Sequence, residues 1–260
     1  MSRLQLVEIH DLAECPRVWR DSLTAFLQFT IDTLGIYDCI VPKIQMLMER
    51  SGTHSVVDLC SGGGGPWLRL RAAVQEEVGQ PVRVSLTDKF PNIEAFEQAR
   101  AGGNGHIVPL ETSVDATDVP ADLEGVRTLF SSFHHFDPAV AQAILQDAVD
   151  KRAPIGVFEF TDRTALSCLA MTFAPLLALG VVPFQRPFSW TRLLSCVPVP
   201  MLPLMIGWDG FVSNLRTYTV DELKALVEPL DAVDYEWEFG KIDQGLVVPP
   251  VTYLIGWPRG

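Results

Sequence analysis

Val56-Val57-Asp58-Leu59-Cys60-Ser61-Gly62-Gly63-Gly64-Gly65-Pro66 is the stretch from which the rest of the chain can be read. Val56, Val57 and Leu59 make a short, apolar, buried strand. Four successive glycines permit positive φ and carry no Cβ, so backbone can come close to a ligand. Pro66 suits the first turn of a helix, where a missing N–H costs nothing. The expected unit is therefore a strand over 55–60, a loop, and a helix over 66–78. Free N–H groups at the start of that helix face the loop, and Asp58 puts an acid at the end of the strand. A site beyond the carboxyl end of a parallel strand suits a nucleotide-like ligand.

The residues that follow repeat this strand-and-acid design. Residues 82–88 alternate into a second strand ending in Asp88, one βαβ unit after Asp58. A carboxylate there can accept two hydrogen bonds from the vicinal hydroxyls of a ribose. Lys89 and Phe90 come next, and Phe90 reads either as a ring packed on a base or as core. Residues 92–101 form a helix stopped by Gly102-Gly103-Asn104-Gly105, and 106–110 a third strand. After it comes Ser113-Val114-Asp115-Ala116-Thr117-Asp118, with Asp118 read as a solvated turn acid.

Residues 126–132 are the fourth strand, and Phe133-His134-His135-Phe136 stands at its carboxyl end. A neutral imidazole there can take a proton from a hydroxyl or amine. Adjacent residues do not easily face one cleft together, so one histidine is expected in the site and one in a structural role. The competing reading has both orienting the loop. Asp137-Pro138 opens a helix to about 151, and 155–163 is a fifth strand. Glu159 lies inside its apolar run, where a carboxylate needs a partner. Arg163 is the near candidate, and the alternative is that Glu159 faces an acceptor pocket.

The run D-x-C-x-G-x-G-G with its strand-end acid resembles the first motif of the class I S-adenosylmethionine-dependent methyltransferases, with Cys60 in place of the motif's first glycine. The resemblance implies S-adenosylmethionine as cofactor. It places Asp58, Cys60, Ser61, Gly62, Gly63 and Gly64 around the methionine part and Asp88 on the ribose. Lys89, Phe90, Asp115 and the N–H of Ala116 fall at the adenine end, and Ser131 at the end of the fourth strand. Ser131-Ser132-Phe133-His134-His135-Phe136 is similar to small-molecule members, which makes His134 or His135 the candidate base. The implied fold is an α/β, Rossmann-like sheet of seven mostly parallel strands with helices on both faces. Its last strand is antiparallel and inserted beside the fifth. The resemblance covers 55–163 and 217–258.

Outside that core, 1–50 reads as a helical cap with helices near 19–35 and 41–50. Tyr37 lies between them and, with Phe133, Glu159, Arg163 and Trp208, is a candidate acceptor contact. Residues 164–216 form an apolar insertion interrupted by Pro175, Gly180 and Pro183. It reads as a lid that builds a hydrophobic acceptor pocket or as a homodimer face, with membrane contact as the competing reading. Asp209-Gly210 reads as a turn. Thr219-Val220-Asp221-Glu222 is a capping box opening a helix to about 228, and 233–239 and 251–257 are the closing strands.

Composition narrows the function. The chain has 260 residues, 48% hydrophobic and 20% charged, with net charge −12. That is enough for one large domain, or one domain with a substantial insertion, with a proper core, and a single domain over 1–260 is expected. Its negative field disfavours nucleic acid as partner. Cys15, Cys39, Cys60, Cys168 and Cys196 form no C-x-x-C pair, and no H-x-x-x-H occurs, so reduced thiols in a cytoplasmic protein are expected and a metal is not. The N-terminus lacks signal-peptide design. The expected activity is methyl transfer to an oxygen or nitrogen of a small, fairly apolar acceptor. The alternatives are an NAD(P)-dependent oxidoreductase, a peripheral-membrane enzyme with a lipid-like acceptor, and a non-catalytic S-adenosylmethionine-binding protein. Asp58 beside the loop and the lack of a Tyr-x-x-x-Lys pair argue against the oxidoreductase.

Overall fold

The computed structural model describes residues 2–185, 188–245 and 248–259. In chain order its main elements are α1 (Arg17–Leu34), α2 (Val41–Ser51), β1 (Ser55–Asp58), α3 (Trp67–Val78), β2 (Arg83–Leu86), α4 (Ile93–Gly102), β3 (Ile107–Pro109) and β4 (Val126–Phe130). These are followed by α5 (Pro138–Asp150), β5 (Ile155–Glu159), α6 (Ala165–Ala170), α7 (Ala174–Val181), α8 (Trp190–Leu194), α9 (Met201–Arg216), α10 (Val220–Val227), β6 (Tyr235–Ile242) and β7 (Val251–Pro258). The chain packs as two compact units, Leu34–Phe160 with Thr219–Gly260, and Met1–Thr33 with Thr161–Tyr218.

The first unit holds the sheet, in the order β3-β2-β1-β4-β5-β7-β6. β1 to β5 pair in parallel, while β7 runs antiparallel between β5 and β6. Strands covered on both faces read as continuous apolar runs, and β5 is buried at all five positions. The chain moves outward from β1 through β2 to β3, then returns to β4 on the other side of β1. Strand order therefore reverses between β1 and β4, which opens a crevice at their carboxyl ends. In that register Asp58 lies opposite Thr128 on one side and Leu86 on the other.

Local chemistry starts the helices that pack on the sheet. Asn92 caps α4 by accepting from the Ala95 N–H. Asp137 caps α5 by accepting from Ala139 and Val140, with Pro138 in the first turn. The Thr219–Glu222 capping box is present on α10. Arg127 on β4 is buried and donates to Asp147 on α5 at 2.7 Å, which ties helix to sheet.

The second unit is helical. Proline cannot donate the hydrogen bond an interior helical position needs, so Pro183, Pro198 and Pro200 fall between the helices of the apolar insertion, while Pro175 and Pro203 sit in the first turns of α7 and α9, where the missing N–H costs nothing. Leu23 and Phe26 of α1 share a core with Ala178, Val182, Leu202 and Ile206. α7 and α9 approach closely at Gly207, where a Cβ would stand 2.7 Å from Pro175 Cγ. Asp209-Gly210 is not a turn: both residues lie inside α9. The Asp209 carboxylate is buried, and it accepts the N–H groups of Ile9 and His10 at 2.6 and 3.1 Å. An acid that looks like turn chemistry in sequence is held in a helix because a distant segment satisfies it. No helix among the described residues is long and apolar enough to cross a membrane.

Candidate active site

β1 delivers Asp58 to the crevice fully buried. Its carboxylate accepts a hydrogen bond from Thr128 Oγ1 at 2.7 Å, and its backbone carbonyl accepts from Thr87 Oγ1 and Ser61 Oγ, each at 2.8 Å. Burial pushes the carboxyl up to about 7, with the nearby Asp88 charge adding to the rise and the Thr128 and Ser61 hydroxyls opposing it. A cationic ligand group beside it would favour the ionised form.

The loop after Asp58 bends through left-handed backbone. Cys60 has φ 56°, followed by Gly62 at 53°, Gly64 at 110° and Gly65 at 57°. A non-glycine residue with φ near +56° is strained, and Cys60 takes this conformation where the resembled motif has glycine. Nothing lies within 4 Å of where a Gly62 Cβ would be, whereas a Cβ at Gly64 would press on Ala99 at 3.3 Å. Gly62 thus faces open space, and Gly64 lets α4 pack close. Gly63 is partly exposed between them.

Asp88 stands just beyond β2 and turns back to the loop. One oxygen accepts the Gly62 N–H at 2.9 Å and the other the Phe90 N–H at 2.8 Å. Each oxygen keeps lone-pair capacity for a further donor. Lys89 Nζ reaches Asp115 at 2.7 Å, and Thr117 donates to the other Asp115 oxygen from both N–H and hydroxyl. Lys89 first, then Thr117, holds the Asp115 carboxyl down to about 2. Ala116 beside it is buried, and Asp118 is an exposed acid paired with Lys151.

At the end of β4 the histidines part company. His134 is 3% exposed. Its Nδ1 lies 2.7 Å from Glu159 Oε2 at the end of β5, while Glu159 Oε1 accepts the N–H groups of Phe133 and His134 at 2.8 and 3.3 Å. Burial alone would raise the Glu159 pKa. The charge and hydrogen bond of His134, the His135 charge and the Phe133 N–H outweigh it and hold the carboxyl below its usual range. An ionised carboxylate only accepts, so the proton between them belongs on Nδ1, and Nε2 becomes the basic atom of the neutral ring. His135 is half-buried and stacks against His134 with centroids 4.3 Å apart.

The chain matches no family model and no curated protein, but solved structures resemble it. The plantazolicin methyltransferase BpumL in complex with SAH gives a TM-score of 0.59 at 10% identity, covering 97% of this chain and 95% of that one. The pyocyanin biosynthetic protein PhzM gives 0.51 at 16% identity, covering 95% and 60%. An O-methyltransferase family protein from Burkholderia thailandensis gives 0.50 at 17% identity, covering 89% and 59%. The chain therefore spans under two thirds of the latter two proteins.

The chain has the class I methyltransferase fold. Within this methyltransferase fold, Asp58, the glycine loop, Asp88 and Asp115 stand at the carboxyl ends of β1 to β3, as the motif spacing led us to expect. Tyr37 is buried instead of open: its hydroxyl lies 2.6 Å from Ser131 Oγ and its ring packs edge-on against Phe130. Ser131 takes φ 43°, so left-handed residues end both β1 and β4. Phe90 is 81% exposed and does not belong to the core. Phe133 is fully buried, with its ring edge-on to Phe136. Arg163 and Trp208 belong to the helical unit, Arg163 buried and Trp208 half-exposed with Nε1 donating to the Val7 carbonyl at 3.1 Å. Thr87 and Thr128 were not singled out in the sequence. Nothing local marks them, because their contact with Asp58 exists only through strand pairing.

Proposed function

We propose that this protein is an S-adenosylmethionine-dependent methyltransferase acting on an oxygen or nitrogen of a small, fairly apolar acceptor. The arrangement of Asp58 and Asp88 on either side of an open, left-handed glycine loop carries the reading. The residues fit the cofactor in kind. Asp58 is a buried acid that a cation would ionise, and Asp88 keeps a free lone pair on each oxygen for a diol. When bound, S-adenosylmethionine supplies an electrophilic methyl group. Asp58, Cys60 and the glycines hold its amino-acid end, Asp88 the ribose, and Asp115 with the Ala116 N–H the adenine. His134 accepts the acceptor's proton at Nε2, while Glu159 keeps the proton on Nδ1 and stabilises the imidazolium that forms. His135 packs the ring in place. The free cysteines support a reducing, cytoplasmic setting.

Calorimetry with S-adenosylhomocysteine and, in parallel, NADH tests the cofactor. Micromolar binding of the homocysteine ligand alone is expected, and Asp88→Ala should weaken it strongly without loss of the folded far-UV spectrum. Binding of NADH alone would overturn the reading. Turnover of His134→Ala should fall about 10²- to 10⁴-fold if His134 is the base. A loss of only a few-fold would leave positioning of the acceptor as the source of rate.

A further inference from the structure

The helical unit carries an outer surface that the proposed chemistry does not use. Of the 25 large apolar side chains exposed among the described residues, 14 fall within residues 166–208. Leu166 and Leu169 lie on α6, Phe173 just before α7, Leu176 and Leu177 on α7, and Met201, Leu204 and Trp208 along one stretch of α9. Leu177 is 66% exposed, Phe184 78% and Trp190 70%. A single exposed apolar side chain needs no explanation, whereas this concentration in one segment marks an interaction surface. A lid lining a pocket would turn such side chains inward; these face solvent.

Charge and residue type identify what covers this surface. Residues 165–208 contain no Asp, Glu or Lys, and their only charged residues are Arg186 and Arg192, in a chain of net charge −12. Arg192 is buried, with its guanidinium donating to the Gln185 carbonyl. Protein partners engage mainly through Trp, Tyr and Arg, with Leu and Val under-represented. Here Leu is the commonest exposed residue, six of the 14, and the segment has no Tyr. Leu and Phe together with Trp is a composition that enters the boundary between headgroups and acyl chains. α6, α7 and α8 have six, eight and five residues, which suits lying on a bilayer. A groove of about 300 Å³ between α7 and α9 is bordered by Met171, Pro175, Leu204, Trp208 and Phe211. It opens beside the exposed Leu204 and Trp208 and offers an apolar chain a seat.

We propose that this face docks on the surface of a lipid bilayer, held by apolar insertion and not by charge. The inference does not depend on the methyltransferase reading. Its test is sedimentation of the full chain with phosphatidylcholine vesicles, corrected for pelleting without vesicles, at 0.15 and 1 M NaCl. Co-sedimentation that survives high salt is expected, because salt screens charge and leaves apolar insertion in place. Leu177→Asp combined with Trp190→Asp should lower the bound fraction at least tenfold. Val233→Asp, an exposed apolar position on the sheet-bearing unit, should leave it unchanged. Absence of wild-type binding, or equal binding by the double variant, overturns the proposal. So does a dimer in light scattering that the double variant splits while vesicles bind neither form, which would assign the face to a second copy of the chain.

Discussion

Burial raises the Asp58 carboxyl to about 7, and the consequence is a dependence on pH with opposite signs for fold and ligand. A raised carboxyl favours the protonated form in the folded chain. Its contribution to stability is full below the ordinary value near 3.8 and is lost as pH rises through about 7. A ligand that brings a cation to Asp58 favours the ionised form, so binding should release a proton below pH 7. Calorimetry in two buffers of different ionisation enthalpy should show that release at pH 6 and little at pH 8.5, and Asp58→Asn should abolish the difference. Asp58, Asp88 and the glycines were legible because each is a residue type with one strong reason to stand at a strand end. The partner of Glu159 was less so. His134, 25 residues away, supplies a 2.7 Å contact. Only the pairing of β4 with β5 brings the two together.

Among elements, side-chain hydrogen bonds latch the N-terminal segment to α9. Arg216 Nη1 donates to Glu8 and Asp11 at 3.0 and 2.9 Å, Arg216 Nε donates to the Leu6 carbonyl, and the His10 ring lies 3.0 Å from Asp209. Burial alone would lower the His10 pKa. The Asp209 hydrogen bond and the charges of Glu8, Asp11 and Asp209 outweigh it, and the value rises above 6.5. A raised imidazole contributes fully below 6.5 and loses that contribution as pH rises through the folded value. The segment should therefore loosen at mildly alkaline pH. Amide exchange at Leu4, whose N–H donates to the Leu215 carbonyl at 3.1 Å, should quicken beyond its intrinsic pH dependence, and His10→Gln should remove the extra effect. This latch was invisible beforehand. An acid followed by glycine at 209–210 looks like a turn unless the N-terminal N–H groups that satisfy it are known.

For the whole molecule, the net charge of −12 makes self-repulsion a standing cost. Raising NaCl from about 0.02 to 0.2 M shortens the screening length below about 10 Å, and the thermal midpoint should rise by a few degrees. A fall would mean that the exposed ion pairs, such as Lys89–Asp115, contribute more than the repulsion. Acidity, a core-forming hydrophobic content and the order of strands and helices from 55 to 163 followed from sequence alone. Local periodicity and turn chemistry act within a few residues and leave their pattern in the chain. The strained Cys60, the Thr128 support of Asp58, the His134–Glu159 pair and the outward face of α6 to α9 were decided by tertiary structure. Each depends on which strand lies beside which, or on which side of a helix its neighbours cover. An apolar run reads the same in sequence whether it will be buried in protein or left exposed.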